Sequence, residues 1–422
     1  MSSAIDAAWE TVLPRIVHAA DRLETPAYVY LPDVAVSRFQ QLLRILPTGA
    51  ELAYSLKANG NPDMISALCG AGALIDVASA GEIAMARRAG VPQEKLIFTG
   101  PAKSRDELTA FTAHHGGIVV LESAAEAKRL EEILAEQGQI CDVLARIRID
   151  ARLLGAQLSM AAAPQFGFEY SAVLDFLADV EAYPHLNFRG LHGYLGTGIE
   201  DPDRALNCCK RLCEAIVDVA AVSGRDIEIV DLGGGFGVPR APNAAEPDWL
   251  GIRPALQGVI DRLRSELPAL RRVIFESGRF VVAPAGAFLT RVIELKRTSD
   301  NVNIVLVDGG AGAFSWAGAQ VGFRPGPLRL IAAAGETPLH DRDIIEASVY
   351  GPLCTPADRI AHHIEIESPG PGDIVMCLRA GAYGYGQGTG FFICRGFPAE
   401  YVISIDGMFL SRKRVEVTAG FL

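Results

Sequence analysis

The sequence predicts an α/β protein: a (β/α)₈ barrel followed by a β-domain that also takes in an N-terminal strand. Three observations lead there. From about residue 50 to 280, short apolar segments alternate with amphipathic helical stretches. Eight such strand–helix units over roughly 230 residues is the count and size of a closed barrel. After residue 280 the rhythm changes, and strand-like segments follow one another without long helices between them.

The barrel strands are expected at AYSLKA (53–58), LIDVAS (74–79), LIFTG (96–100), IVVLES (118–123), VLARIRI (143–149), FRGLHGYLG (188–196), EIVDLGG (228–234) and VIFESGR (273–279). Each is short, β-branched-rich and closed by Gly, Ser, Asn or Asp. Between them NPDMISALCGAG, GEIAMARRAG, SAAEAKRLEEILAEQG and PALQGVIDRLRSELPAL carry apolar residues at three- and four-residue spacing, and several end in Gly, a good helix stop. A doubly wound open sheet is the alternative. It would use fewer parallel strands and carry a dinucleotide fingerprint at its first turn, which is absent. Beyond residue 280, FLTRVIELKR, VNIVLVDGG, DIIEASVYG, GDIVMCLRAGAYG and AEYVISIDG read as strands, and AYVYLP (27–32) is expected to join them. The expected division is residues 1–35 as an N-terminal segment joining the β-domain, 36–280 as the barrel, and 281–422 as the C-terminal β-domain.

With 422 residues, half of them hydrophobic, the chain can bury a large core and exceeds one ordinary compact domain. Fifty Asp and Glu against 39 Lys and Arg argue against a general binder of nucleic acid or anionic membranes. No apolar run approaches the roughly 18 residues of a membrane-spanning helix. The stretch MSSAIDAAWETVLPRI lacks the basic start and apolar core of a secretory signal. Eight cysteines in so long a chain are not a disulfide framework, and reduced thiols without a signal point to the cytoplasm. Cys208, Cys209 and Cys213 lie on a helical stretch without further ligand-spaced Cys or His, so ordinary packing is expected and no metal site. His114–His115 and His362–His363 read as solvated helix or loop pairs.

In such a barrel the chemistry sits at the C-terminal ends of the strands, and the unusual residues collect there. Lys57 is the penultimate residue of AYSLKA. A lysine so close to an apolar strand usually snorkels or pairs, but burial would favour the neutral amine a Schiff base needs. Asp76 and Glu82 flank the end of the second strand in DVASAGE, where either could cap a helix. DLGGGFG places Gly233, Gly234 and Gly235 in a row, so that backbone N–H groups can approach a phosphate. FESGR puts Glu276 and Arg279 around a turn, as a ring-nitrogen partner and an anion ligand or as a mutual surface salt bridge. His192 reads as structural. An amine, a phosphate-sized glycine loop and a carboxylate on one rim are the handles pyridoxal 5′-phosphate (PLP) requires.

From about residue 25 to 415 the chain resembles the fold-type III PLP decarboxylases, the ornithine/diaminopimelate decarboxylase family, whose barrel is of the alanine racemase type. YSLKANGNP resembles the lysine motif, DVASAGE the next motif, DLGGGFG the phosphate loop, FESGRF the segment E-P-G-R-Y, and GPLCTPAD the segment G-P-x-C. The resemblance implies that Lys57 forms the aldimine with PLP and that Asp76 lies in the cofactor site. It implies that Gly234, Gly235, Gly278, Arg279 and Tyr383 contribute to cofactor binding, with Gly235 nearest the phosphate. Glu276 would bind the pyridinium nitrogen, Cys354 would protonate the quinonoid carbon, and Phe391 would be a substrate-wall aromatic. Alanine racemases of this fold typically face the nitrogen with an arginine, so Glu276 favours decarboxylation. The family completes its sites across a homodimer, with Cys354 and Tyr383 reaching the partner's Lys57.

Three departures matter. Tyr194 stands where the family has a stacking His, and Tyr stacks equally well. Thr197 replaces the usual phosphate-binding Ser and keeps a hydroxyl. Thr355 follows Cys354 where ornithine-type enzymes carry Asp and diaminopimelate-type enzymes Glu. A neutral Thr points to a substrate with a larger or less basic distal group. The C-T-P-x-D form, with SMAAAPQFGF (159–168) and FESGRFVVAPAGAFLTRVIELK, is similar to decarboxylases of siderophore and natural-product assembly. These include citryl-diaminopropionate decarboxylases and relatives acting on carrier-bound glutamyl groups. Rival readings are diaminopimelate, ornithine or lysine decarboxylation in primary metabolism, a racemase, and a non-catalytic regulator resembling the antizyme inhibitors. The presence of Lys57, Glu276 and Cys354 together speaks against the last.

Overall fold

The computed structural model describes residues 4–148, 164–194, 196–239, 244–314, 326–333 and 336–417. Ile149, Leu195 and residues 159–163 of SMAAAPQFGF, which the sequence reading used, lie outside the described residues. The chain divides into two compact units. One comprises residues 38–238 and 246–280, the other residues 1–37, 239–245 and 281–422.

The first strand, β1 (Ala27–Tyr30), belongs to the second unit. The next eight close into a parallel barrel in chain order. They are β2 (Ala50–Ser55), β3 (Leu74–Val77), β4 (Leu96–Phe98), β5 (Ile118–Leu121), β6 (Cys141–Arg146), β7 (Leu186–His192), β8 (Ile229–Asp231) and β9 (Arg272–Ser277). Strands covered on both faces read as continuous apolar runs, which is why these segments showed no alternation. Ala53, Leu74, Ile97, Val120, Leu144 and Ile274 pack together as one buried cluster. Where β7 passes β8, Gly190 adopts φ +154°, and a Cβ there would stand 1.9 Å from the Ile229 carbonyl oxygen. Glycine alone allows that approach.

Three strand-to-helix joins reuse one local device. Ser79, Ser104 and Ser123 each accept, through the side chain, the backbone N–H of a glutamate three residues on: Glu82, Glu107 and Glu126. These caps start the helices Ala80–Arg88, Arg105–Thr112 and Ala124–Gln137 just past the strand ends, so side chains at the rim are placed by rigid elements. Cys208, Cys209 and Cys213 are buried on the helix Pro202–Ser223, and all eight cysteines are free thiols.

The second unit is a nine-stranded sheet. Its strands are β1 with β10 (Gly286–Arg297), β11 (Asn303–Val307), β12 (Leu328–Ile331), β13 (Ile344–Tyr350), β14 (Arg359–Glu367), β15 (Ile374–Cys377), β16 (Ala399–Ser404) and β17 (Gly407–Arg412). The order is β14-β13-β11-β10-β1-β16-β17, with β15 also on β10 and β12 on β15. The N-terminal strand therefore sits inside the sheet, antiparallel to β10 and parallel to β16. A helix, Ala4–Ala19, precedes it and was not foreseen; its Trp9 and Ile16 bury against Val29, Leu289 and Met376.

Two sequence readings need correction. The first barrel strand ends at Ser55, so Lys57 lies in the 3₁₀ turn Leu56–Ala58 rather than within a strand. His362 and His363 lie on β14, where they face solvent; a strand in a sheet with one wet side has no continuous apolar run to betray it.

Candidate active site

Lys57 lies in the turn after β2 with its side chain 44 % exposed, and its Nζ lies 3.0 Å from Asp76 Oδ2 on β3. The expected burial of this amine is thus replaced by half-exposure at the rim. Asp76 is buried, and its other oxygen accepts the Thr99 hydroxyl at 2.5 Å. Burial alone would push the Asp76 carboxyl up, but the Lys57 ammonium and hydrogen bonds from Thr99, Lys57 and Ser55 outweigh it and hold the group below its ordinary value. Glu82, beside this pair, accepts the Ala78 N–H at 2.6 Å, so it does serve the helix start. Burial, with Asp76 adding to it, pushes its carboxyl up to about 7 against the Ala78 hydrogen bond.

Across the rim, Tyr194 and Thr197 follow β7 and hydrogen-bond through their hydroxyls at 3.0 Å. The Arg146 guanidinium at the end of β6 lies 5.9 Å from the Tyr194 ring centre and 4.6 Å from that of Phe166. Its charge is met by Glu122 at 2.8 Å.

The glycine run after β8 is folded into the same region. Gly233 takes φ +64°, and a Cβ there would meet the Gly193 carbonyl oxygen at 2.5 Å. The Gly235 carbonyl accepts the Ile199 N–H at 2.8 Å, tying the run to the loop that carries Thr197. Gly234 packs its α-carbon near the Glu276 carbonyl, where a Cβ would come within 3.1 Å. At Gly278 an added Cβ would meet that of Ala58 at 2.8 Å, so this glycine lets β9 close on the lysine turn. Arg279 opens the short helix Arg279–Val282.

Glu276 is 3 % exposed on β9, and its partner is His192, whose Nε2 lies 3.2 Å from Oε1. The surface salt bridge with Arg279 is therefore not its setting. Asp231 completes the group: one atom from each of His192, Asp231 and Glu276 lies within 4.8 Å of the others. Burial first, and Glu276 second, push the Asp231 carboxyl well up. Among the described residues this is the one group of three His, Cys, Asp or Glu side chains compact enough to share an ion.

The remaining candidates lie in the sheet unit. Cys354 is exposed and Thr355 half-buried in the loop between β13 and β14. Asp358 gathers that loop, accepting the Leu353 N–H at 2.7 Å and the Ala311 N–H at 2.5 Å. Tyr383 is half-buried at φ +63°, a left-handed conformation rare for a bulky residue. Phe391 is 66 % exposed and meets Phe397 edge-on at 5.7 Å.

Sequence reasoning passed over His192, Asp231 and Arg146 as members of the rim. The signal was available: each is the last residue of its barrel strand, the position at which this fold carries its chemistry.

The residues present fit PLP. A half-exposed lysine amine, a glycine run with no room for a side chain at Gly233, and a buried carboxylate at Glu276 gather on one rim, and the imidazole beside that carboxylate leaves its Nδ1 without a hydrogen-bond partner among the described residues. Comparisons agree. Residues 33–283 match the family described as "Pyridoxal-dependent decarboxylase, pyridoxal binding domain". The L-glutamyl-[BtrI acyl-carrier protein] decarboxylase of Niallia circulans is 30 % identical over 385 residues, covering 90 % of this chain and 89 % of that protein. The 2-[(L-alanin-3-ylcarbamoyl)methyl]-2-hydroxybutanedioate decarboxylase of Staphylococcus aureus is 26 % identical, covering 88 % and 92 %. The crystal structure of diaminopimelate decarboxylase from Helicobacter pylori complexed with L-lysine shares the fold, with a TM-score of 0.81 at 24 % identity over 94 % of this chain and 95 % of that one. The chain belongs to the pyridoxal-dependent decarboxylases of the ornithine/diaminopimelate decarboxylase family, PLP-dependent carboxy-lyases built on a (β/α)₈ barrel with an attached β-sheet unit.

Proposed function

We propose that this enzyme decarboxylates an amino-acid derivative whose distal end carries no free ammonium, in siderophore or related natural-product assembly. Thr355 carries the reading. It is neutral, it directly follows Cys354, and its Oγ1 accepts the Ala357 N–H at 3.3 Å within the loop. A free diamino acid would need a carboxylate to hold its far ammonium, and desolvating that charge against a hydroxyl alone is unfavourable. The carrier-linked glutamyl group in the name of one relative, and the citrate-derived amide in that of the other, are substrates of this kind.

PLP supplies an electron sink for the pair of electrons left when the α-carboxylate departs. Lys57 holds the cofactor and Asp76 steadies the amine. Tyr194 would stack on the ring, Thr197, Gly234, Gly235, Arg279 and Tyr383 would hold the phosphate, and Gly278 permits the close packing beside Lys57. Buried Glu276 would hold a proton at the ring nitrogen. Cys354 returns a proton to the substrate carbon, and Thr355 and Phe391 wall the substrate. The working form is a homodimer in which Cys354 and Tyr383 serve the partner subunit's Lys57. Among the described residues no helix is long and apolar enough to cross a membrane, which accords with the cytoplasmic location we assign.

Steady-state turnover on carrier-linked glutamate and citryl-diaminopropionate, against free diaminopimelate, ornithine and lysine, tests this. Preference for an amide- or thioester-linked substrate is expected. Efficient turnover of a free basic amino acid would overturn the proposal in favour of primary metabolism.

A further inference from the structure

Asp231, His192 and Glu276 are at most 3 % exposed, and an atom of each lies within 4.8 Å of the others. Asp231 Oδ1 accepts the Gly233 N–H at 2.8 Å, and the Glu276 N–H returns to the Gly233 carbonyl at 2.9 Å, so the two acids share one backbone knot. Among the described residues Asp231 Oδ2 has no hydrogen-bond partner, and neither has His192 Nδ1.

The charges facing Asp231 from the neighbouring strands are Glu276 on β9, His192 on β7, Asp76 on β3 and Arg146 on β6. Arg146 is engaged by Glu122 at 2.8 Å, and Lys57 by Asp76 at 3.0 Å. Among the described residues Asp231 is thus left without a salt bridge of its own. Ionising it would place a second negative charge beside Glu276 where water cannot screen either.

We infer that Asp231 is a positioning residue that stays protonated at neutral pH, so that Glu276 alone carries the negative charge of the cluster. His192 then orients one ionised carboxylate instead of sharing its hydrogen bond between two. Glu276 is kept in the form a protonated ring nitrogen requires. This consequence rests on the role proposed for Glu276; the protonation of Asp231 does not.

Difference infrared spectra of the cofactor-free protein, wild type minus Asp231→Asn, test the protonation directly. The carbonyl stretch of a buried carboxylic acid is expected in the wild type near neutral pH and absent from Asp231→Asn. A wild type without that band would overturn the inference. Should Asp231→Asn fail to fold, pH titration of the band in wild-type protein carrying labelled aspartate decides in the same way. The effect on Glu276 is read from PLP affinity against pH. Ionisation of Asp231 at alkaline pH is expected to change the affinity of wild type by about tenfold, the equivalent of one pKa unit of charge interaction. Asp231→Asn, which cannot ionise, is expected to lack that component of the pH profile. Identical pH profiles for wild type and Asp231→Asn would overturn the positioning role. If Glu276→Gln left PLP affinity and absorbance unchanged while the Asp231 band persisted, the role of Glu276 would fall and the protonation would stand.

Discussion

Lys57 Nζ and Asp76 Oδ2 are 3.0 Å apart, joining a side chain that is 44 % exposed to one that is 1 % exposed. The asymmetry has a use. The carboxylate is anchored by the Thr99 hydroxyl, so the amine is aimed by a fixed partner while its own face remains open to the rim.

Asp76→Ala should therefore destabilise the fold by about 1–3 kcal/mol at neutral pH, because buried donors lose their acceptor. The folded-state value of Asp76 lies below its unfolded one, so its contribution is present above the ordinary aspartate value and is lost as pH falls through the folded value. Urea unfolding of both proteins at neutral pH and at about pH 3 checks this: the gap should narrow in acid.

Lys57→Ala should remove the visible band of the covalently held cofactor and any linkage reducible by borohydride. A retained reducible linkage would show that another amine holds PLP.

Cys354→Ala should slow turnover by about 10²–10⁴-fold, the usual contribution of a positioned acid, or divert it to an aldehyde by-product. PLP should remain bound, since Cys354 lies in the β13–β14 loop of the sheet unit. Unchanged kinetics and product purity would assign the proton to another group.

Glu82 offers a pH signature of the opposite sign to Asp76. Its folded-state value, about 7, lies above the ordinary glutamate value, so the folded protein binds the extra proton between the two and loses stability as pH rises through that window. Glu82→Gln keeps an acceptor for the Ala78 N–H and removes the titration. It should be close to neutral near pH 5 and stabilising near pH 8, by on the order of a kcal/mol or more, in chemical denaturation. A pH-independent difference would refute this account.

Much of this was legible beforehand for a physical reason. Barrel strands covered on both faces are short apolar runs, and several strand-to-helix joins carry their own side-chain cap, so the eight strands could be read segment by segment, as could the positions of Asp76, Gly233–Gly235 and Glu276 at their ends. What failed was also local: the strand before Lys57 ends at Ser55, three residues short of the expected end, in a 3₁₀ turn, and β14 alternates too weakly to read as a strand. His192 was read as structural although it ends β7; what its segment could not show is its partner, Glu276, 84 residues away.

The alternation of elements, the family motifs and the neutral residue after Cys354 are legible along the chain, because these are properties of short stretches. That Lys57 is half exposed while its partner Asp76 is buried, and that His192, Asp231 and Glu276 form one group, follows from the folded arrangement. Closing the barrel brings the ends of β7, β8 and β9 together and shuts out water, and it is that shared burial, absent from any one segment, that decides which acid keeps its proton.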